Sequence, residues 1–174
     1  MRGRKKSARH VMDLCCGGKL FYYDKDCPEV LSQDVRQGWF EFPNNRILEI
    51  APTILGDFTD MKDIPDGSYW TGYSLVVFDP PHLLRAGENS FLRAKYGVLP
   101  KAWKECIRKG FDNGFRVLRK NGVLLFKWSD VQIPHVDVLE LSPYRPLLGD
   151  KRGTTRWTVF IKAECLKKEE ENHE

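Results

Sequence analysis

Leu75-Val76-Val77-Phe78-Asp79-Pro80-Pro81-His82 is the stretch that decides the fold. Four consecutive apolar residues bounded by turn formers predict a short buried strand. The proline pair must end that strand, because neither ring nitrogen can donate to a ladder. Asp79 is thereby held at the mouth of a sheet, on a stiff backbone.

Upstream, residues 10–15 read as a first short strand entering the pair Gly17-Gly18. Residues 19–25 are expected to make about two helical turns, stopped by Cys27-Pro28. Residues 30–34 form a second strand. Residues 39–42 and 46–50 flank Pro43-Asn44-Asn45 and predict a hairpin inserted near the sheet edge. Residues 53–57 give the third parallel strand, followed by a polar loop or short helix through Gly67.

Downstream, residues 83–100 lack periodicity and are expected to be a long loop, of the kind that serves as a lid or binding loop. Trp103, Ile107, Phe111, Phe115 and Leu118 recur at spacings of four and three and make one apolar helical stripe. Pro100 suits its start and Asn121-Gly122 its stop. Residues 123–128 are a fifth strand and residues 134–141 a short helix. Leu147-Leu148 and residues 157–161 then pair antiparallel around a turn at 151–156. Strands alternating with helical stretches imply an α/β fold, a mostly parallel sheet with helices on both faces. Ligands of such sheets bind beyond the carboxyl ends of the strands.

With 174 residues, 41% hydrophobic and 30% charged, the chain fits one globular domain, expected over residues 9–163. Residues 1–8 read as a flexible basic arm and residues 164–174 as a charged, disordered tail. No run approaches the roughly 18 apolar residues of a membrane span. The first residues also lack the apolar core of a signal peptide, so a cytoplasmic location is expected. The net charge of +4 is uneven: five cations and no acid stand in the first nine residues, leaving −1 for the rest. The five cysteines form no C-x-x-C pair and no zinc-finger spacing with a histidine, so neither structural zinc nor a disulfide framework is expected.

Asp13, Asp34, Asp57 and Asp79 fall at or near the carboxyl ends of the first four parallel strands, 21, 23 and 22 residues apart. One Asp after a strand is usually a turn former. Four on one sheet edge repel one another unless they serve hydroxyls, amines or a cationic ligand. Asp34 lies where an acid accepts from ribose hydroxyls in dinucleotide-type sites. Gly17 and Gly18 let a ligand approach the backbone closely, and Asp57 is placed to accept from an exocyclic amine such as adenine's. The turn is not G-x-G-x-x-G, which disfavours a phosphate-gripping NAD site.

On these residues the chain resembles the class I S-adenosylmethionine (SAM)-dependent methyltransferases, over roughly residues 9–163. Asp13-Leu14-Cys15-Cys16-Gly17-Gly18 resembles their first motif, a turn beside the methionine part of SAM. Asp34 matches the ribose-binding acid, and Asp57 with Phe58 the adenine-contacting pair. Asp79-Pro80-Pro81-His82 is similar to the Asp-Pro-Pro-Tyr motif of amino-methyltransferases acting on adenine N6 and cytosine N4. The chain also resembles compact prophage methyltransferases without a target-recognition domain. The resemblance implies a Rossmann-like, seven-stranded sheet with an antiparallel last strand, SAM as cofactor and no metal. Two positions depart from the pattern: Cys15 and Lys19 replace glycines of the first turn, and His82 replaces an aromatic ring that stacks on the target base.

The chemistry suits the residues. The lone pair of an aromatic exocyclic amine is delocalised, and acceptors at Asp79 and the Pro80 carbonyl would aim it at an incoming methyl group. A base must leave its stack to reach such a recess. Arg85, Arg93, Lys95 and Tyr96 after the fourth strand, with Lys151 and Arg152 in the last turn, are candidate strand-binding residues. The expected partner is nucleic acid, DNA ahead of RNA. An RNA base or a protein amide as substrate, and a non-catalytic SAM- or nucleic-acid-binding protein, are the alternatives.

Overall fold

The structure, a computed structural model, describes residues 9–42, 45–68, 70–88 and 90–169. Short apolar runs form β1 (Val11–Asp13), β2 (Val30–Asp34), β5 (Ile54–Leu55) and β6 (Tyr73–Phe78), with β3 (Gly38–Phe42) and β4 (Arg46–Ile50) between β2 and β5. β7 (Leu118–Ser129), β8 (Leu148–Arg152) and β9 (Thr155–Ile161) complete the strands. Seven of them build one sheet in the order β5-β2-β1-β6-β7-β9-β8. Every pairing from β5 to β7 is parallel, and β9 runs antiparallel to both of its neighbours. The mostly parallel seven-stranded sheet with its antiparallel last strand is the expected one. The chain leaves β1 for β2 on one side and returns to β6 on the other, so the switch point where such sheets bind ligands lies between β1 and β6.

The core is built on one face of this sheet. Met12, Val76, Leu124 and Phe160 lie side by side across four strands and are all fully buried. Phe78 and Phe126 form the next row toward the carboxyl edge. Helix α2 (Trp103–Val117) lays its stripe over both rows, with Phe111 5.4 Å from Phe78, 4.9 Å from Phe126 and 5.7 Å from Phe160 between ring centroids. Helix α3 (His135–Leu139) joins the same face: His135 stacks on Phe126 and meets the Thr158 hydroxyl at 3.0 Å.

Four expectations are corrected. Among the described residues no helix covers the opposite face, because residues 19–25 form turns instead of two helical turns. Phe21 packs edge-on against Trp157 while the neighbouring Tyr22 bonds to Asp13. Both are anchored inward, and adjacent residues cannot share one helix face. Second, the 83–100 loop contains α1 (Phe91–Tyr96), capped by Ser90, whose Oγ accepts from Arg93 N at 3.1 Å. Third, Asn121-Gly122 does not stop α2. The helix ends at Val117, Leu118 is already extended, and the positive φ of Asn121 falls inside β7, beside a register shift against β6. Fourth, residues 164–169 are docked: a short 3-10 turn at Glu164–Leu166 precedes Lys168, whose Nζ donates to the carbonyl of Leu139 at 3.0 Å.

The expected hairpin is present as a separate two-stranded sheet, β3 with β4, although Pro43 and Asn44 lie outside the described residues. The basic arm 1–8 and the last five residues lie outside them as well.

Candidate active site

The carboxyl ends of β1, β2, β6 and β7 and helix α1 (Phe91–Tyr96) converge at the β1–β6 switch point around a cavity of about 370 Å³. Asp13 ends β1 but lies beneath the cavity, fully buried, accepting from Cys15 N at 3.2 Å and from the Tyr22 hydroxyl at 2.9 Å. Burial pushes its carboxyl up to about 7; the two hydrogen bonds oppose the shift, while Asp79 and Asp34 add to it. Asp13 is thus a brace under the glycine turn. That turn needs a positive φ at Gly17, and a Cβ built there meets nothing closer than the Lys95 carbonyl at 3.9 Å. The backbone of the turn therefore faces open cavity.

Asp34 ends β2, is almost completely buried, and accepts from Gly17 N at 2.9 Å. Arg36, two residues on, closes over it: its Nε lies 3.0 Å from one carboxylate oxygen and its Nη2 3.3 Å from the other. The same guanidinium donates to the Ala94 carbonyl, tying α1 down across the cavity. Val35 and Phe58 supply apolar wall beside Asp34. Asp57 turns away, accepting from the backbone and hydroxyl of Thr59, both at 2.8 Å, and lines an adjoining pocket that shares Val35, Phe58 and Pro81 with the main cavity.

Across the cavity, Asp79, Pro80 and Pro81 follow β6 onto its wall. Asp79 Oδ2 accepts from Lys127 Nζ at 2.6 Å. Burial raises the Asp79 carboxyl, and Lys127 and then Lys95 pull it back toward ionisation. The Lys127 ammonium lies over two rings, 5.7 Å from the centroid of Phe21 and 5.8 Å from that of Trp157. Cys15, Cys16, Gly17 and Gly18 line the floor, and Lys95 and Tyr96 line the roof that α1 provides.

His82 does not line the cavity. It is buried behind Tyr96, with ring centroids 4.7 Å apart, and beside Trp128 at 6.2 Å. Burial, helped by the charge of Lys127, lowers its imidazole to about 4. Of the six expected strand-binding residues, Lys95 and Tyr96 reach the cavity wall. Arg85 and Arg93 are exposed on the segment after β6, where Gln132 accepts from the Arg85 backbone at 3.0 Å. Lys151 and Arg152 are exposed beside the β8–β9 turn, which the Asp130 N–H to Thr154 carbonyl bond of 3.0 Å places at the carboxyl end of β7.

Lys127, Arg36 and Tyr22 are site residues that the sequence reading missed. Lys127 had a signal: Leu75-Val76-Val77-Phe78-Asp79 written over Val123-Leu124-Leu125-Phe126-Lys127 sets Asp79 opposite Lys127, and that is the observed register. Arg36 and Tyr22 had none, since both reach the site from turns.

No family profile matches the chain, and no curated protein matches it. Solved structures do. A TehB-like SAM-dependent methyltransferase from Corynebacterium glutamicum superposes with a TM-score of 0.53 at 15% identity, covering 92% of this chain and 82% of that one. A putative methylase from Haemophilus influenzae gives a TM-score of 0.50 at 10% identity, covering 92% and 90%. At these identities the likeness is one of fold: the chain has the Rossmann-like methyltransferase fold.

Proposed function

We propose that this protein transfers a methyl group from SAM to an exocyclic amine of a nucleic-acid base, with adenine N6 of DNA as the first substrate. The observation that carries the reading is the Asp79 carboxylate, fixed by Pro80 and Pro81 on the wall of a cavity at the sheet's switch point. Gly17 leaves backbone open to close approach and Val35 with Phe58 offers apolar wall for a purine, while the Asp34 and Asp79 carboxylates are each paired with a lining cation, Arg36 and Lys127. To accept from a ribose diol, Asp34 must exchange its ion pair with Arg36 for hydrogen bonds from uncharged hydroxyl donors.

Bound SAM would supply a methyl on sulfur already activated as a leaving group, so that an N–C bond forms as the S–C bond breaks to a neutral thioether. The residues of this chain do the rest. Asp79 accepts one N–H of the amine and the Pro80 carbonyl is the nearest second acceptor in the motif; together they orient the nitrogen lone pair. Once methylated the amine is acidic, and its proton passes by way of Asp79 to water, which requires no strong base. Tyr96, on the cavity wall, is the ring for stacking an unstacked base, which would take the place of the Lys95 ammonium now 4.7 Å over the ring centroid.

The test is transfer of labelled methyl from SAM to DNA, RNA and protein, with the product identified by mass spectrometry. N6-methyladenine in DNA is the expected product. Methylated RNA or protein would move the substrate class, and absence of SAM binding in calorimetry would overturn the reading. Asp79→Ala is expected to lower transfer by roughly a hundredfold or more while leaving SAM affinity nearly intact; normal turnover by that variant would remove Asp79 from the mechanism.

A further inference from the structure

We propose that Lys127 is a positioning residue for this transfer: its ammonium holds Oδ2 of Asp79 and leaves Oδ1 to accept the substrate amine. The proposal rests on the methyltransferase reading above and adds to it a residue that the Asp-Pro-Pro motif does not contain.

The geometry carries it. Phe78 and Phe126 are direct neighbours on β6 and β7, so Asp79 and Lys127 are the next pair toward the carboxyl edge. They meet at 2.6 Å with only 17% and 20% of their side chains exposed. Every earlier row of this ladder, from Leu75 and Val123 to Phe78 and Phe126, is apolar on both strands. The charges begin where the cavity begins. An ion pair taken out of water roughly breaks even against apolar residues, so stability alone gives no reason for one here. The ammonium is also held from three sides, by Asp79 of the β6 end, Phe21 of the first turn and Trp157 of β9. Only one of its three N–H donors is needed for Asp79.

The charged surroundings decide what this pair does. Asp79 is faced by Lys127 from β7 and Lys95 from α1, both favouring the carboxylate. Against it stands the Asp13 carboxyl of β1, and Cys15 lies against its backbone with a thiol that burial holds protonated. His82, on its own segment, is held neutral. Burial opposes ionisation of Asp79 and Lys127 is the largest opposing charge, so removing Lys127 leaves a carboxyl that takes up a proton more readily. A protonated Asp79 is a donor on one oxygen and a poorer acceptor on the other.

Lys127→Met keeps the aliphatic stem and removes the charge; Lys127→Arg keeps the charge. The first measurement needs neither cofactor nor substrate: the carboxyl ¹³C signal of Asp79, assigned by its loss in Asp79→Asn, is followed against pH in the full chain. Lys127→Met is expected to raise the titration of Asp79 by about one pH unit or more, and Lys127→Arg to return it toward the wild-type position. The second is methyl transfer against pH. Lys127→Met should lose transfer on the acidic side of the profile, its acidic limb moving upward with the Asp79 titration by about one pH unit or more and activity recovering above that limb, while Lys127→Arg returns the limb toward the wild-type position. An unmoved Asp79 titration overturns the proposal, as does a loss of transfer that is uniform at every pH. A titration that moves in a protein transferring no methyl to any substrate overturns the methyltransferase reading, and with it the positioning role, while leaving the ion pair established.

Discussion

His82 is the residue at which motif and structure part. In the motif it occupies the place of a ring that stacks on the target base, yet it is wedged behind Tyr96 and is 7% exposed. Nothing in the order of residues distinguishes the two outcomes. They depend on how the 83–100 segment folds back, which the Leu99 N–H to Leu83 carbonyl bond of 2.8 Å fixes. The burial has a measurable consequence. The folded imidazole is lowered to about 4, below its ordinary 6.5, so between these values the unfolded chain binds the extra proton. This site's share of stability is complete above pH 6.5 and is lost as pH falls toward 4, to a total of about 3 kcal/mol at most. Asp13 works the other way, since a carboxyl raised to about 7 is relieved by acidification. A single melting curve mixes the two, whereas a comparison with His82→Phe isolates the first. Relative to wild type, the Phe variant should gain roughly 5–10 °C in Tm between pH 7 and pH 4.5. Parallel Tm curves for the two proteins would show that the buried imidazole carries no such penalty.

Among the elements, α2 was the most legible and the turns around it the least. Its stripe of Trp103, Ile107, Phe111 and Phe115 repeats over four turns, long enough for period 3.6 to stand out. The six residues of α1 span fewer than two turns, and its only signal was the Ser90 cap. At residues 19–25 local composition suggested a helix, but the tertiary anchors of Phe21 and Tyr22 overrode it. What the stripe does not disclose is how near α2 comes to the sheet. Gly110 makes that approach possible: a Cβ there would lie 2.3 Å from Cζ of Phe78 and 2.9 Å from Cδ2 of Phe58. Ala is the better helix former by about 1 kcal/mol, but overpacking a tight core costs about 1–3 kcal/mol. The clash falls on two rings packed in the core, so it should win. Gly110→Ala is expected to be less stable by about 1–2 kcal/mol in denaturant unfolding. A variant as stable as wild type or more so would mean that Phe78 yields without cost. Because Phe78 immediately precedes Asp79, this contact also links helix packing to the placement of the carboxylate.

At the scale of the molecule, the sheet and its acid-bearing edge could be read from sequence because both follow from local pattern plus the handedness of crossovers. Strand ends mark the edge, and Asp13, Asp34 and Asp79 stand on it. Partners that cross between distant segments could not be read this way: Arg36 over Asp34 and under Ala94, or the Asp130 carboxylate holding Arg156 at 2.8 Å. The second of these leaves Lys151 and Arg152 as exposed cations beside the carboxyl edge, on the turn-proximal end of β8. If the substrate is duplex DNA, as proposed, these two side chains are candidates for contacts to phosphates flanking the target base. Each phosphate neutralised contributes about 0.9 to the magnitude of the slope of log K against log salt. Replacing both by Ala should therefore weaken DNA binding at low salt and reduce that slope by roughly 1.8. SAM affinity should not change, because neither side chain lines the cofactor cavity. Fluorescence anisotropy of a labelled duplex across a salt series reads both quantities. A slope equal to that of wild type would take the β8–β9 turn out of the DNA path and leave the binding charge to Arg85, Arg93 and Lys95 on the other side of the cavity.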